Sequence, residues 1–230
     1  IFHQSIGGYH GAKMRRYQDL IESHLQTEHE GFINALNARS MDFPPMPVLN
    51  MLNTRYLILG DQKEAVLEND DAMGNAWLVS SIAPVNNADE ELASLAYIPL
   101  DSIAVIDQTK FSGLKSSYNA NGSIALLNYA PNKLDYEVES EGDAFAVFSE
   151  MYYPAGWKAF IDGNEAPIIR ANYALRALEI PSGKHQITFK FEPKSYFLGN
   201  KISSYLGILV VVFIVFGLVM EFRPKKDLAQ

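Results

Sequence analysis

Two short stretches of this chain gather side chains that could hold a ligand. In Gly7-Gly8-Tyr9-His10-Gly11-Ala12-Lys13-Met14-Arg15-Arg16-Tyr17 a glycine-rich turn brings aromatic, imidazole and cationic groups to the start of a helix. The free amides of a helix start favour an anion, and a guanidinium can grip a phosphate with two parallel hydrogen bonds. Tyr9, His10, Lys13, Arg15 and Arg16 are therefore candidate substrate-binding residues, with the phosphate of a lipid-linked donor as one candidate ligand. The plainer alternative is a helix start whose bases are solvated or paired with Asp19 and Glu22. In the second stretch, Tyr152-Tyr153-Pro154-Ala155-Gly156-Trp157 is followed by Asp162-Gly163. Flat apolar rings beside carboxylates and amides suit a sugar, which makes Tyr152, Tyr153, Trp157 and Asp162 candidates for binding one. The alternative is that Trp157 and a tyrosine plug the end of a core while Asp162-Gly163 only turns the chain.

No catalytic residue can be assigned, and no cofactor or metal is expected. A glycine-rich phosphate loop after a strand and a His-Glu-x-x-His motif are both missing from the sequence. His24, Glu28 and His29 come nearest to a metal set, but residues 24 and 28 share a face only if their helix runs past Leu25. The absence of cysteine excludes disulfides and thiolate chemistry. A net charge of −8 argues against nucleic acid as a partner.

The elements that must position these residues fall into two styles. Gly11–Leu25 reads as an amphipathic helix with Met14, Tyr17, Ile21 and Leu25 inward, and Gly31–Ala38 as a shorter second helix. Phe43–Pro47 breaks the pattern, a helical turn follows at Val48–Leu52, and Thr54–Leu59 reads as a strand. Ala76–Pro84 is extended and Asp89–Leu95 helical, with its acids in the first turn where the dipole favours them. Ile103–Ile106 and Ile124–Tyr129 are expected to form a hairpin around Asn121-Gly122. Thereafter short strands are separated by turn signals: Leu134–Glu139, Ala144–Glu150, Trp157–Ile161, Leu175–Ile180 and His185–Glu192. In the last, Ile187, Phe189 and Phe191 share one face, the mark of a half-buried antiparallel strand. The fold class expected is α+β, mainly an antiparallel β-sandwich with short N-terminal helices and one C-terminal transmembrane helix. The expected parts are a helical and mixed segment over 1–73, the sandwich over 74–198, the transmembrane helix over 201–222 and a tail over 223–230.

The helix rests on Ile202–Met220, which contains no charged residue. Such a helix is about 28 Å long, close to the roughly 30 Å hydrocarbon core of a bilayer. Arg223, Lys225 and Lys226 follow it, and a short basic tail normally stays in the cytoplasm. Residues 1–200 are accordingly expected outside the cytoplasm. The start at Ile1 rather than Met suggests a piece of a longer protein with earlier spans.

Taken together, SIGGYHGAKMRRYQDLI (Ser5–Ile21), VLNMLNTRYLI (Val48–Ile58), GNAWLV (Gly74–Val79), FSEMYYPAGWKAFIDG (Phe148–Gly163), IRANYALRALEIPSGKH (Ile169–His185) and FKFEPKSY (Phe189–Tyr196) resemble the C-terminal end of the YfhO family of bacterial polytopic membrane proteins. Members of that family resemble glycosyltransferases that use polyprenyl-phosphate sugars. The resemblance implies a bacterial cytoplasmic-membrane protein that supports modification of a cell-surface glycan. Its partners would be the bilayer, a polyprenyl-phosphate sugar, a surface glycan acceptor and further transmembrane parts of the same protein. It also implies that the catalytic acid belongs to an early loop outside this sequence. A membrane-anchored glycan-binding or assembly module without catalysis is the alternative.

Overall fold

Apolar spacing sets the path of the first helix. In the computed structural model, which describes residues 5–7, 13–40 and 42–221, α1 (Arg15–Leu20) passes through a π-helical turn at Ile21–Leu25 into α2 (Gln26–Asn37). The buried positions are Leu20, Leu25, Glu28 and Phe32. The five-residue step from Leu20 to Leu25 would rotate a regular α-helix off its buried face; one wide turn absorbs the extra residue. The two separate helices expected from sequence are therefore one continuous rod. Gly31 lies within this rod against Pro44, to whose ring a Cβ would come within 3.1 Å.

Short α3 (Pro47–Met51) starts on a proline, as a first helical turn tolerates, and buries Val48, Leu49 and Met51. A small ribbon of β1 (Tyr56–Ile58) and β2 (Val66–Glu68) follows. Next come β3 (Ala76–Val79), β4 (Ser81–Val85), α4 (Ala88–Ser94) and β5 (Ile103–Asp107), with β4 and β5 parallel. The expected hairpin around Asn121-Gly122 is thus corrected. β5 pairs with β4, and Gly122 opens β6 (Gly122–Ala130) opposite Ser140 of β7 (Lys133–Ser140). Glycine is needed there for close approach, since a Cβ would fall 2.2 Å from the Glu139 carbonyl oxygen.

The remaining strands are β8 (Ala144–Met151), β9 (Trp157–Ile161), β10 (Asn164–Ala166), β11 (Ile169–Ala171), β12 (Leu175–Ile180) and β13 (Gly183–Phe191). They build a five-stranded sheet, β10-β9-β13-β7-β6, and a four-stranded sheet, β11-β12-β8-β3. One core packs Leu134, Tyr136, Phe148, Leu178, Ile187 and Phe189 together, with Phe148 edge-on to Phe189 at 4.8 Å. A second core joins Phe145, Val147 and Ala177 to Leu20 and Phe32 of the helical rod and to β4–β5. Because β8 contributes to both cores, its Ala144–Phe148 run is buried without alternation. The result is the expected α+β fold, dominated by antiparallel sheet.

After β13 only Glu192 and Pro193 precede α5 (Lys194–Glu221). Its most apolar 18 residues have a mean hydropathy of 2.7 and are not buried, and with 27 residues to Met220 the helix is long and apolar enough to cross a bilayer. Among the described residues nothing covers its apolar side chains.

Candidate functional site

The two stretches singled out by composition meet at the β11–β12 turn. Asn172 and Tyr173 there both take left-handed conformations, with φ of 49° and 69°. Non-glycine residues pay strain in that region and stay only where contacts hold them. The Asn172 side-chain oxygen accepts a hydrogen bond from the Val105 amide at 2.9 Å, and the Asn172 backbone amide donates to the Val105 carbonyl. The Tyr173 amide donates to Glu91 at 3.0 Å and its hydroxyl to Asp19 at 2.7 Å. From the first stretch, Arg16 donates to the Tyr173 carbonyl at 3.0 Å and lies 4.5 Å over the Tyr173 ring. From the second, the Tyr152 amide donates to the Ala174 carbonyl at 2.7 Å.

Beneath this turn lies a buried charge cluster. Arg170 reaches Glu91 at 2.9 Å and Asp107 at 3.4 Å, with Arg16 3.7 Å from the same Glu91 oxygen. Glu91 is fully buried, so desolvation pushes its carboxyl above the usual range while Arg170 pulls it back. Phe111 caps Arg170 at 5.5 Å and meets the Tyr152 ring edge-on at 6.0 Å. The Arg170 Nε and the Asn172 side-chain nitrogen are buried without a hydrogen-bond partner among the described residues. Chemically the cluster can hold opposite charges away from water and pin four separate elements to one turn.

The other sequence candidates are spread out. Tyr9 and His10 lie outside the described residues. Lys13 is exposed, and Arg15 is an exposed side chain paired with Asp19 at 2.9 Å. Tyr153 and Trp157 sit at one end of the sandwich against Phe191, at 6.3 and 5.3 Å. Gly156 is buried beneath the same ring, where a Cβ would fall 2.4 Å from it. Arg176 stacks on Trp157 at 4.0 Å. Asp162 lies at the far end of β9, roughly 16 Å from Trp157 by strand rise. It turns the chain with Gly163 and binds His185 Nδ1 at 2.6 Å and the Gln186 amide at 2.8 Å.

His24, Glu28 and His29 do not assemble a metal site, and no candidate metal group occurs among the described residues. Glu28 instead accepts the amides of Val48 and Leu49 at 2.9 Å each, fixing the start of α3. His24 bonds the Leu92 carbonyl at 2.8 Å, and His29 is exposed.

Sequence reading missed an open cleft of about 820 Å³ between the proline-rich loop, the 68–73 loop and the 96–101 loop. Asn50, Glu68, Asp70, Asp71 and Asp101 line it beside exposed Tyr97. Asn69 shapes one wall by donating to Asn50 at 2.8 Å and to the Thr54 carbonyl at 2.9 Å. Its only sequence signal was the local run of acids and amides in Glu68-Asn69-Asp70-Asp71.

Residues 101–203 match the model of a family described as bacterial membrane protein YfhO. The matched stretch runs from the approach to β5 into the first turns of α5, and so contains both arginines of the β11–β12 hairpin. No curated protein and no solved structure matches the chain.

Proposed function

We propose, on the strength of the YfhO match and of α5, that this chain is the extracytoplasmic, membrane-anchored part of a glycosyltransferase-like protein that supports modification of a surface glycan. In this reading it shapes the donor or acceptor site and leaves the chemistry to other parts of the protein. One observation carries it: the aromatic end of the sandwich adjoins the membrane helix. Trp157 pairs with Phe191 at the last position of β13, the Phe191 amide donates to Asn132 in the β6–β7 turn, and α5 starts at Lys194. Tyr152, Tyr153 and Trp157 therefore lie close to the level at which a lipid-linked sugar would present its head group. Rings of this kind stack on sugars, and buried Arg176 backs the Trp157 ring from within at 4.0 Å.

Two measurements test the reading. These 230 residues contain no cysteine, so Glu165→Cys on the exposed edge strand β10 gives them a single thiol. A membrane-impermeant maleimide should label it in intact cells, and labelling only after lysis would reverse the orientation. Deleting the gene should alter the surface-glycan profile, with restoration by the wild-type protein and not by Tyr153→Ala/Trp157→Ala. An unchanged profile on deletion would refute the glycan role.

A glycan-binding module without a transferase is the second reading, and the 820 Å³ cleft favours it. Carboxylates and amides beside Tyr97 offer hydrogen bonds to hydroxyls and a face for stacking. Glycan binding weakened by Tyr97→Ala, with unaltered binding in Trp157→Ala, would move the assignment to the cleft.

A further inference from the structure

The junction between sandwich and helix carries a charge pattern at odds with the rest of the chain. The protein is acidic, at −8, yet three lysines face one carboxylate in a groove of about 350 Å³ formed by Lys158, Glu192, Lys194, Phe197, Leu198 and Lys201. Lys194 and Lys201 are seven residues apart on α5, which puts them on the same face and about 10 Å apart along the axis. Phe197 and Leu198 fall between them on that face, exposed at 52% and 61%. Lys158 comes from β9 and is held at the groove by Glu192 at 3.3 Å. Tyr196, 66% exposed in the first turn of α5, adds an aromatic ring of the sort that settles at head-group level. Ammonium groups above and below an apolar step match a phosphate attached to an acyl chain. A soluble anion would gain nothing from Phe197 and Leu198.

We infer that this groove binds the phosphate head group of an anionic phospholipid in the adjoining leaflet, with the acyl chain lying along Phe197 and Leu198. The inference goes beyond the glycan role and rests only on α5 spanning the bilayer. Bound lipid would bridge β9 to the first two turns of α5 and so hold the sandwich at a fixed attitude to the membrane. Lysines this close to a bilayer surface each add an attraction that three together make readily measurable.

The test uses the whole 230-residue chain in nanodiscs of phosphatidylcholine with a minor fraction of phosphatidylglycerol, reading retained lipid by native mass spectrometry. Wild type should retain phosphatidylglycerol in preference to phosphatidylcholine. Lys158→Ala/Lys194→Ala/Lys201→Ala should lower that preference roughly tenfold. Lys184→Ala should leave it unchanged, because Lys184 lies at the opposite end of β13, paired with Glu137 at 3.0 Å. Equal retention by wild type and the triple variant would overturn the inference, leaving the anchor intact. Displacement of the lipid by inorganic phosphate would overturn it in favour of a soluble-anion site. Failure of the chain to enter nanodiscs would remove both the lipid site and the membrane reading.

Discussion

Arg170 and Arg176 stand directly opposite each other on the β11–β12 hairpin, yet they hold their charges in contrasting ways. Arg170 is neutralised by carboxylates, with Glu91 and Asp107 in reach and Arg16 completing the cluster. Arg176 is caged by rings, Trp157 at 4.0 Å and Phe189 at 5.4 Å. Its carboxylate partner, Glu150, is 3.9 Å away, its Nη1 has no hydrogen-bond partner among the described residues, and its Nε bonds the Met151 carbonyl at 2.8 Å. Burial pushes Arg176 down to about 10 against the pull of Glu150, and burial likewise pushes Glu150 up. Both members of this second pair are displaced toward neutrality, as expected where desolvation outweighs attraction. The first arginine is locked by charge; the second is tolerated by packing.

The contrast predicts a ladder of effects. Arg170→Met should cost about 3–5 kcal/mol in urea unfolding, because it removes the only cation paired with Asp107 among the described residues and leaves buried Glu91 with Arg16 alone at 3.7 Å. Arg176→Met should cost only about 1–2 kcal/mol, mainly the lost bond to Met151, since the replacement is apolar and similar in length. Equal losses in the two variants would break the comparison. A double-mutant cycle between Arg176→Met and Trp157→Ala sharpens it, with an expected coupling of about 1 kcal/mol for the ring stacking; zero coupling would mean that Trp157 does not help hold the charge.

The smallest effect is a titration at an exposed pair away from both arginines. The hydrogen bond to Asp162 raises His185 above its ordinary 6.5, and His185 in turn lowers Asp162 below 3.8. The histidine's contribution to stability is full below its unfolded pKa and fades as pH rises through the folded one. The aspartate's contribution is present above its unfolded pKa and fades as pH falls through the folded one. The pair therefore supports the fold most between those limits. An NMR titration should place the His185 midpoint above 6.5 in wild type and return it toward that value in Asp162→Asn.

Local pattern made much of the fold legible. Period-two alternation located β13, uninterrupted apolarity located α5, and Asp162-Gly163 located the β9–β10 turn, since each signal lies within a few neighbouring residues. Asn121-Gly122 misled because the dipeptide reports a possible turn and not which strands flank it. The parallel β4–β5 pairing depends on a crossover through α4, which no local alternation encodes. The charge cluster was hidden for the same reason. Glu91 and Arg170 are far apart in sequence and look like ordinary surface residues there, and only the cores on either side of β8 bring them together. Of the site candidates, Arg16 and Tyr152 converge on the β11–β12 turn, while Asp162 is carried to the far end of its strand.

The placement of β13 has a mechanical consequence. It is the central strand of the five-stranded sheet, registered on β7 along one side and β9 along the other, and it continues into α5 after two residues, one of them a proline. A tilt or pull of the helix would be felt at the middle of the sheet and shared by two ladders at once, whereas the same load on an edge strand could peel it away one bond at a time. The sandwich is thus coupled to the helix as a blade is to its tang, and it should follow the helix as a stiff body.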